Sequence, residues 1–231
     1  MLTLKRIIIF AVLALFTVSM AMGQRSNREM TIEESYLQES IELMIIRETS
    51  RADSRDQKLI ALEYIGEAIN RGNTSKDITQ ALEYLSLEGV LNQSRENNRL
   101  LNNYPDIRRQ AAKYLGQVGT EEARTSLMKI CQYENEPMVL QEAVKSLGDI
   151  GINNNDDTVA MITWVVSRFD VLNPDNILAV ATIDAFEKLA KNNDGALHPE
   201  AIRLLMRISE GPYIRPVKER ARQFLADLRG Y

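Results

Sequence analysis

The stretches PDIRRQAAKYLGQVG (residues 105–119) and PMVLQEAVKSLGDIG (residues 137–151) follow one pattern. Pro comes first, an aliphatic residue third, Ala seventh, Leu-Gly eleventh and twelfth, and an aliphatic-Gly pair closes the stretch. The two copies start 32 residues apart. Self-similarity at this period is the signature of a solenoid, in which each unit buries its apolar face only against its neighbours.

Weaker copies appear when the Ala-to-Leu-Gly spacing is carried along the chain. QKLIALEYIG (57–66) sets Ala61, Ile65 and Gly66 in the places of Ala111, Leu115 and Gly116; VKERARQFLA (217–226) sets Ala221, Leu225 and Ala226 there. LAVATIDAFE (178–187) fits loosely, with Thr182, Phe186 and Glu187. The landmarks at 61, 111, 143, 182 and 221 are separated by 50, 32, 39 and 39 residues, so four or five units are expected, with one long insertion near 89–105.

Each unit reads as two helices. Ile107, Ala111, Tyr114, Leu115 and Val118 step along one helix face, and Val217, Ala221, Phe224, Leu225 and Leu228 step identically. Further helices are expected between these, over 121–132 after an N-cap at Thr120 and over 157–169. Glycines at 72, 119, 151, 195 and 211 stand just past periodic segments, where a left-handed C-cap is needed; prolines at 105, 137, 174, 199 and 212 stand at or near helix starts. Period-2 alternation is absent, so the expectation is an all-α solenoid of stacked helical hairpins.

PDIRRQAAKYLG, residues 105–116, resembles the second helix of a HEAT repeat, and in particular the short HEAT-like repeats that also occur in phycobilisome lyases. Residues 137–148 match except that Leu140 replaces the arginine; Lys58 and Lys218 keep a cation at that place and Ala179 does not. The resemblance spans 54–231 and implies a superhelical scaffold for protein binding. Tetratricopeptide repeats share the period but lack the Leu-Gly and aliphatic-Gly ending. Ahead of the repeats, residues 31–48 are expected to form a helix with a Thr31/Glu34 capping box and an apolar stripe of Leu37, Ile41, Met44 and Ile45. The region 24–53 is therefore assigned as an N-terminal cap on the stack. A membrane-surface helix is the alternative, disfavoured by an acidic polar face.

Residues 1–23, MLTLKRIIIFAVLALFTVSMAMG, have the cationic start, apolar run and small-residue exit of a secretory signal, with cleavage expected after Gly23 and no Cys nearby for lipidation. The expected location is periplasmic or secreted, without stable membrane insertion after cleavage. The 28 Lys and Arg against 32 Asp and Glu give −4; the leader carries two of those cations, leaving −6, which argues against nucleic-acid binding. One Cys and one His in 231 residues exclude an intrachain disulfide and any zinc site built from those residues.

Chemistry is sparse. His198 precedes Pro199-Glu200 and reads as a helix cap; Cys131 reads as a small core residue; residues 154–157 (NNDD) are oxygen-rich but lack calcium-loop spacing and read as capping. No Gly-rich phosphate loop, nucleophile elbow or HExxH occurs, and no cofactor is expected. The leading expectation is a non-catalytic exported scaffold holding a protein or peptide on its concave face. The resemblance leaves a lyase-type enzyme as one alternative, resting on His198 or Cys131; a self-associating envelope component is another. The partner-binding candidates flank the apolar stripes of the second helices: Arg108, Arg109, Lys113, Gln117, Gln141, Lys145 and Asp149. Residues 196–231 carry +3, and there Lys218 and Arg222, with Arg229, offer a basic end for an acidic partner.

Overall fold

The computed structural model describes residues 31–169, 174–193 and 195–228. The expected export signal and Arg229 lie outside the described residues. The chain divides into two units, residues 1–40 and 41–231. In the first, Thr31 opens a helix through the expected capping box: its N–H donates to Glu34 Oε2 at 3.0 Å, and Glu34 N–H donates to Thr31 Oγ1 at 3.2 Å.

The described residues hold ten α-helices: α1 (Ile32–Arg51), α2 (Arg55–Asn70), α3 (Lys76–Ser86), α4 (Pro105–Val118), α5 (Glu121–Tyr133), α6 (Pro137–Ile150), α7 (Asp157–Phe169), α8 (Asn176–Lys191), α9 (Pro199–Glu210) and α10 (Arg215–Asp227). In the second unit they form two layers. The second helices α2, α4, α6, α8 and α10 pack side by side in chain order, and the first helices α3, α5, α7 and α9 back them as partners in helical hairpins. This is an all-α, HEAT-like stack.

Sequence chemistry marks the helix ends. Pro105, Pro137 and Pro199 occupy first-turn positions, where the missing N–H has no intrahelical role. Thr120 Oγ1 accepts from Ala123 N–H, Asp175 from Ile177 and Leu178 N–H, and His198 Nδ1 from Glu200 N–H. Gly119 and Gly151 close α4 and α6 at φ 71° and 72°. Gly211 departs from expectation: its φ of −70° is not left-handed, because α9 ends by turning into extended chain. Before α7 the cap comes from Asn153, whose Oδ1 accepts Val159 N–H, while residues 154–156 form a 3₁₀ turn.

Every landmark of the repeat is buried. Ala61, Ala111, Ala143, Thr182 and Ala221 are fully covered, and Thr182 satisfies its hydroxyl by donating to Leu178 O at 2.9 Å. At the Leu-Gly glycines neighbouring helices of the layer come close. A Cβ on Gly116 would stand 2.7 Å from the Ser146 side chain, and one on Gly148 would stand 2.5 Å from Ala185 Cα. On α1 the expected stripe is not the buried one. Ile41 and Met44 are exposed and Ile45 is half-buried, while Leu43, Ile46 and Ser50 face the stack; Leu37 too is exposed. The helix carries apolar rows on two sides, and periodicity alone does not say which meets a neighbour.

The insertion is also more ordered than a polar loop. Residues Arg95–Glu96 (β1) and Arg99–Leu100 (β2) pair antiparallel across Asn97 and Asn98, both at positive φ as a type I′ turn requires. Strands of two residues are too short to leave a period-2 trace. The base of the hairpin is anchored inside: Asn102 donates to Glu88 Oε1 and to Asn92 O, both at 2.6 Å, and accepts from Ser94 N–H at 2.8 Å. Gly89, at φ 73°, lets the chain pass against the Asn102 carbonyl.

Arg108 must be corrected from a partner-binding residue to a core one. It is 1% exposed, and its guanidinium grips the Glu134 carboxylate through Nε at 2.6 Å and Nη2 at 3.3 Å. Its Nη1 donates to Glu88 O at 3.1 Å and to Asn103 Oδ1 at 2.9 Å. Lys58, the cation at the same motif place, is equally buried; it pairs with Glu88 Oε2 at 3.2 Å and donates to Ser50 O at 3.3 Å. Arg168 continues the series from α7, donating to Gln132 O at 3.2 Å and Glu134 O at 2.6 Å. These cations satisfy carbonyls at or just past helix C-termini; Lys58 and Arg108, with Glu88 and Glu134, are the buried members of the series, and Arg168 is half-buried.

Candidate partner-binding surface

The second-helix layer alternates apolar positions that pack inward with polar ones that remain at the surface. Successive helices are tied across that surface by ion pairs. Arg55 meets Asp106 at 2.5 Å between α2 and α4, Arg109 meets Glu142 at 3.4 Å between α4 and α6, and Asp149 meets Lys188 between α6 and α8. Arg220 reaches Asp184 and Glu187 between α8 and α10. Pairs with both ends partly exposed contribute about 0–1 kcal/mol each; Arg109–Glu142 differs in that its carboxylate is largely covered.

Three of the expected site residues converge. Arg109, Lys113 and Lys145 line a depression of about 380 Å³ between α4 and α6, together with Asp106, Met138 and Glu142. The Glu142 side chain is largely covered and lies between Arg109 and Lys145, the latter at 3.7 Å. Lys113 is exposed and holds no ion pair among the described residues. With Arg55 on Asp106, the cations outnumber the carboxylates in this neighbourhood. Its field favours an acidic ligand although the chain as a whole is acidic.

The other candidates lie elsewhere. Gln117 is exposed farther along α4, Gln141 donates to Asp175 Oδ2 at 3.0 Å, and Asp149 is engaged with Lys188. Lys218 and Arg222 donate to the Gly211 and Ser209 carbonyls at 3.5 and 3.0 Å, holding the α9–α10 connection. Sequence reading missed a larger cavity of about 580 Å³ on the first-helix layer, bordered by α3 and α5. Tyr84 and Tyr133, at related places near the ends of these helices, were the available signal.

Neither residue considered for covalent chemistry occupies a reactive setting. Cys131 is fully buried on α5, and burial pushes its thiol up to about 12, with nearby Arg168 only partly opposing the shift. His198 spends Nδ1 on its helix cap. Among the described residues, no group of three or more His, Cys, Asp or Glu is placed to hold a metal, and no helix is long and apolar enough to cross a membrane.

A family model described as HEAT repeats matches residues 98–168. The match runs from the tip of the β-hairpin through α7 and takes in the two clearest copies of the motif. HEAT repeats commonly mediate protein–protein interaction, and the depression between α4 and α6 lies inside the matched region. No curated protein matches the chain.

Proposed function

We propose that the protein is an exported, non-catalytic HEAT-like scaffold that binds another envelope or secreted protein through its layer of second helices. In stacks of this kind each unit rotates slightly on the last, so one layer lines an extended concave surface; the reading assigns the partner to that surface. The observation that carries it is the convergence of Arg109, Lys113 and Lys145 on one open depression in the region matched as HEAT repeats. A partly open depression lined mainly by charged side chains suits a protein or peptide better than a small substrate, which favours a more enclosed and apolar pocket. Export rests on the leader-like pattern of residues 1–23.

The test separates binding from folding. A triple variant, Lys113→Glu with Arg109→Gln and Lys145→Gln, avoids crowding new acids around Glu142. The variant leaves the largely covered Glu142 without a cation, at a cost of about 1–2 kcal/mol, so its melting temperature falls by about 3–8 °C and it stays folded at the temperature of the assay. Capture of the partner from envelope extract falls roughly ten-fold or more, as expected when a complementary charge cluster is removed. Undiminished capture by the folded variant contradicts the assignment of this surface.

A further inference from the structure

The cavity on the first-helix layer differs in character from the depression just described. It is larger, and its wall is part aromatic and aliphatic: Tyr84 and Leu87 from the end of α3, Leu91 beyond it, and Tyr133 from the end of α5. Leu91 is 49% exposed and Tyr133 44% exposed, so two large apolar side chains stand open to water at one recess. Soluble surfaces leave single apolar residues uncovered without consequence, but their convergence on a concavity marks a place for an apolar group.

The charges at the same cavity restrict what that group is attached to. Lys129 and Glu83 are paired with each other, which cancels them. Arg51, at the end of α1, is exposed and holds no ion pair among the described residues, leaving one uncompensated guanidinium on the rim. Its planar fork matches a carboxylate. Burial pushes the Tyr84 phenol above its ordinary range, with Glu88 adding to the effect, so at neutral pH it stays a hydroxyl that both donates and accepts. Tyr and Arg, two of the residue types enriched at binding hot spots, are both in its lining.

We infer that this cavity is a second binding site, taking a short acidic peptide segment that inserts one large apolar side chain between Leu91 and Tyr133 and sets a carboxylate on Arg51. The fold builds it from both sides: α3 and α5 supply the walls, and the chain entering the insertion places Leu91. The site lies on the other layer from the α4–α6 depression and shares no lining residue with it, so the two can be occupied independently. A scaffold with two such sites can hold two partners at once.

The test uses three fluorescein-labelled peptides with a common Gly/Ser background and Asp-Phe-Asp, Asp-Ser-Asp or Lys-Phe-Lys at the centre, followed by polarisation against the purified protein. The first binds roughly ten-fold tighter than either of the others, the difference expected of one anchor or one charge contact. Leu91→Asp abolishes the preference for Phe, and Arg51→Glu abolishes the preference for Asp over Lys. Both residues are exposed, so the fold is retained, which a thermal melt verifies. Arg203→Gln, exposed on α9 and lining neither site, leaves all three affinities unchanged. Equal binding of the three peptides, no binding, or indifference to Leu91→Asp overturns the inference. The probes require no natural partner, so failure here with intact partner capture removes the cavity alone. Loss of capture in the earlier triple variant bears only on the second-helix surface.

Discussion

Arg108→Met lowers the stability of the protein by about 3–5 kcal/mol, which for a chain of this size corresponds to a fall in melting temperature of about 10 °C. The loss comes from the partner left behind. Glu134 keeps its buried carboxylate and the N–H donors of Asn135 and Glu136 at 2.9 and 3.0 Å, but loses the cation that neutralised it. The Glu88 carbonyl and Asn103 side chain lose their donor as well. Two buried charges that satisfy each other contribute little net, whereas one alone is expensive, so adding Glu134→Gln to Arg108→Met recovers part of the loss. Gln at 134 still offers an oxygen to the two backbone donors. Denaturant melts of the single and double variants measure the coupling, and simple additivity would show that the ion pair is not the source.

The second large effect is at Gly148. In an ordinary helix interior, Gly→Ala is stabilising by about 1 kcal/mol. Here the added Cβ would stand 2.5 Å from Ala185 Cα and 2.8 Å from its Cβ, and a backbone atom cannot be relieved by a rotamer change. The α6 and α8 helices must therefore separate. Gly148→Ala is destabilising despite its better propensity, and Gly148→Leu costs about 3 kcal/mol. A stabilising Gly148→Ala in an urea melt would mean that the two helices do not approach as closely as described.

These two residues show what was legible in the sequence and what was not. Ala61, Ala111, Ala143, Thr182 and Ala221 were found by spacing alone, and all five are buried at neighbour contacts, because a repeat imposes the same packing demand at the same place. Gly148 was visible as part of Leu-Gly, but its reason lies on α8, which no local pattern names. Arg108 was misplaced because charge ordinarily means surface. The better signal was its recurrence as Lys58 and Lys218: a solvated charge has no need to hold one motif position, whereas a cation that satisfies helix-end carbonyls does. Its carboxylate partner, 26 residues away, has no sequence mark of its own.

The site was legible to a similar depth. Arg109, Lys113 and Lys145 were chosen for flanking the apolar stripes, and helix geometry brings them to one depression. Gln141, Lys218 and Arg222 flank stripes too, but Gln141 is taken up by a hydrogen bond to the start of α8, and Lys218 and Arg222 by carbonyls at the end of α9. The cavity at Tyr84 and Tyr133 depends on where the chain after α3 carries Leu91, and that is decided by Gly89, Asn102 and the hairpin rather than by any helical period.

The central claim, a scaffold that holds its partner on the second-helix layer, is tested most directly by photo-crosslinking in cells. A benzoylphenylalanine is placed either at Gln117, exposed on α4, or at Ala160, exposed on α7 in the other layer. One dominant protein adduct forms at Gln117, is absent at Ala160, and disappears when Lys113→Glu, Arg109→Gln and Lys145→Gln are introduced. No adduct at Gln117, or the same adduct from both positions, would contradict the claim.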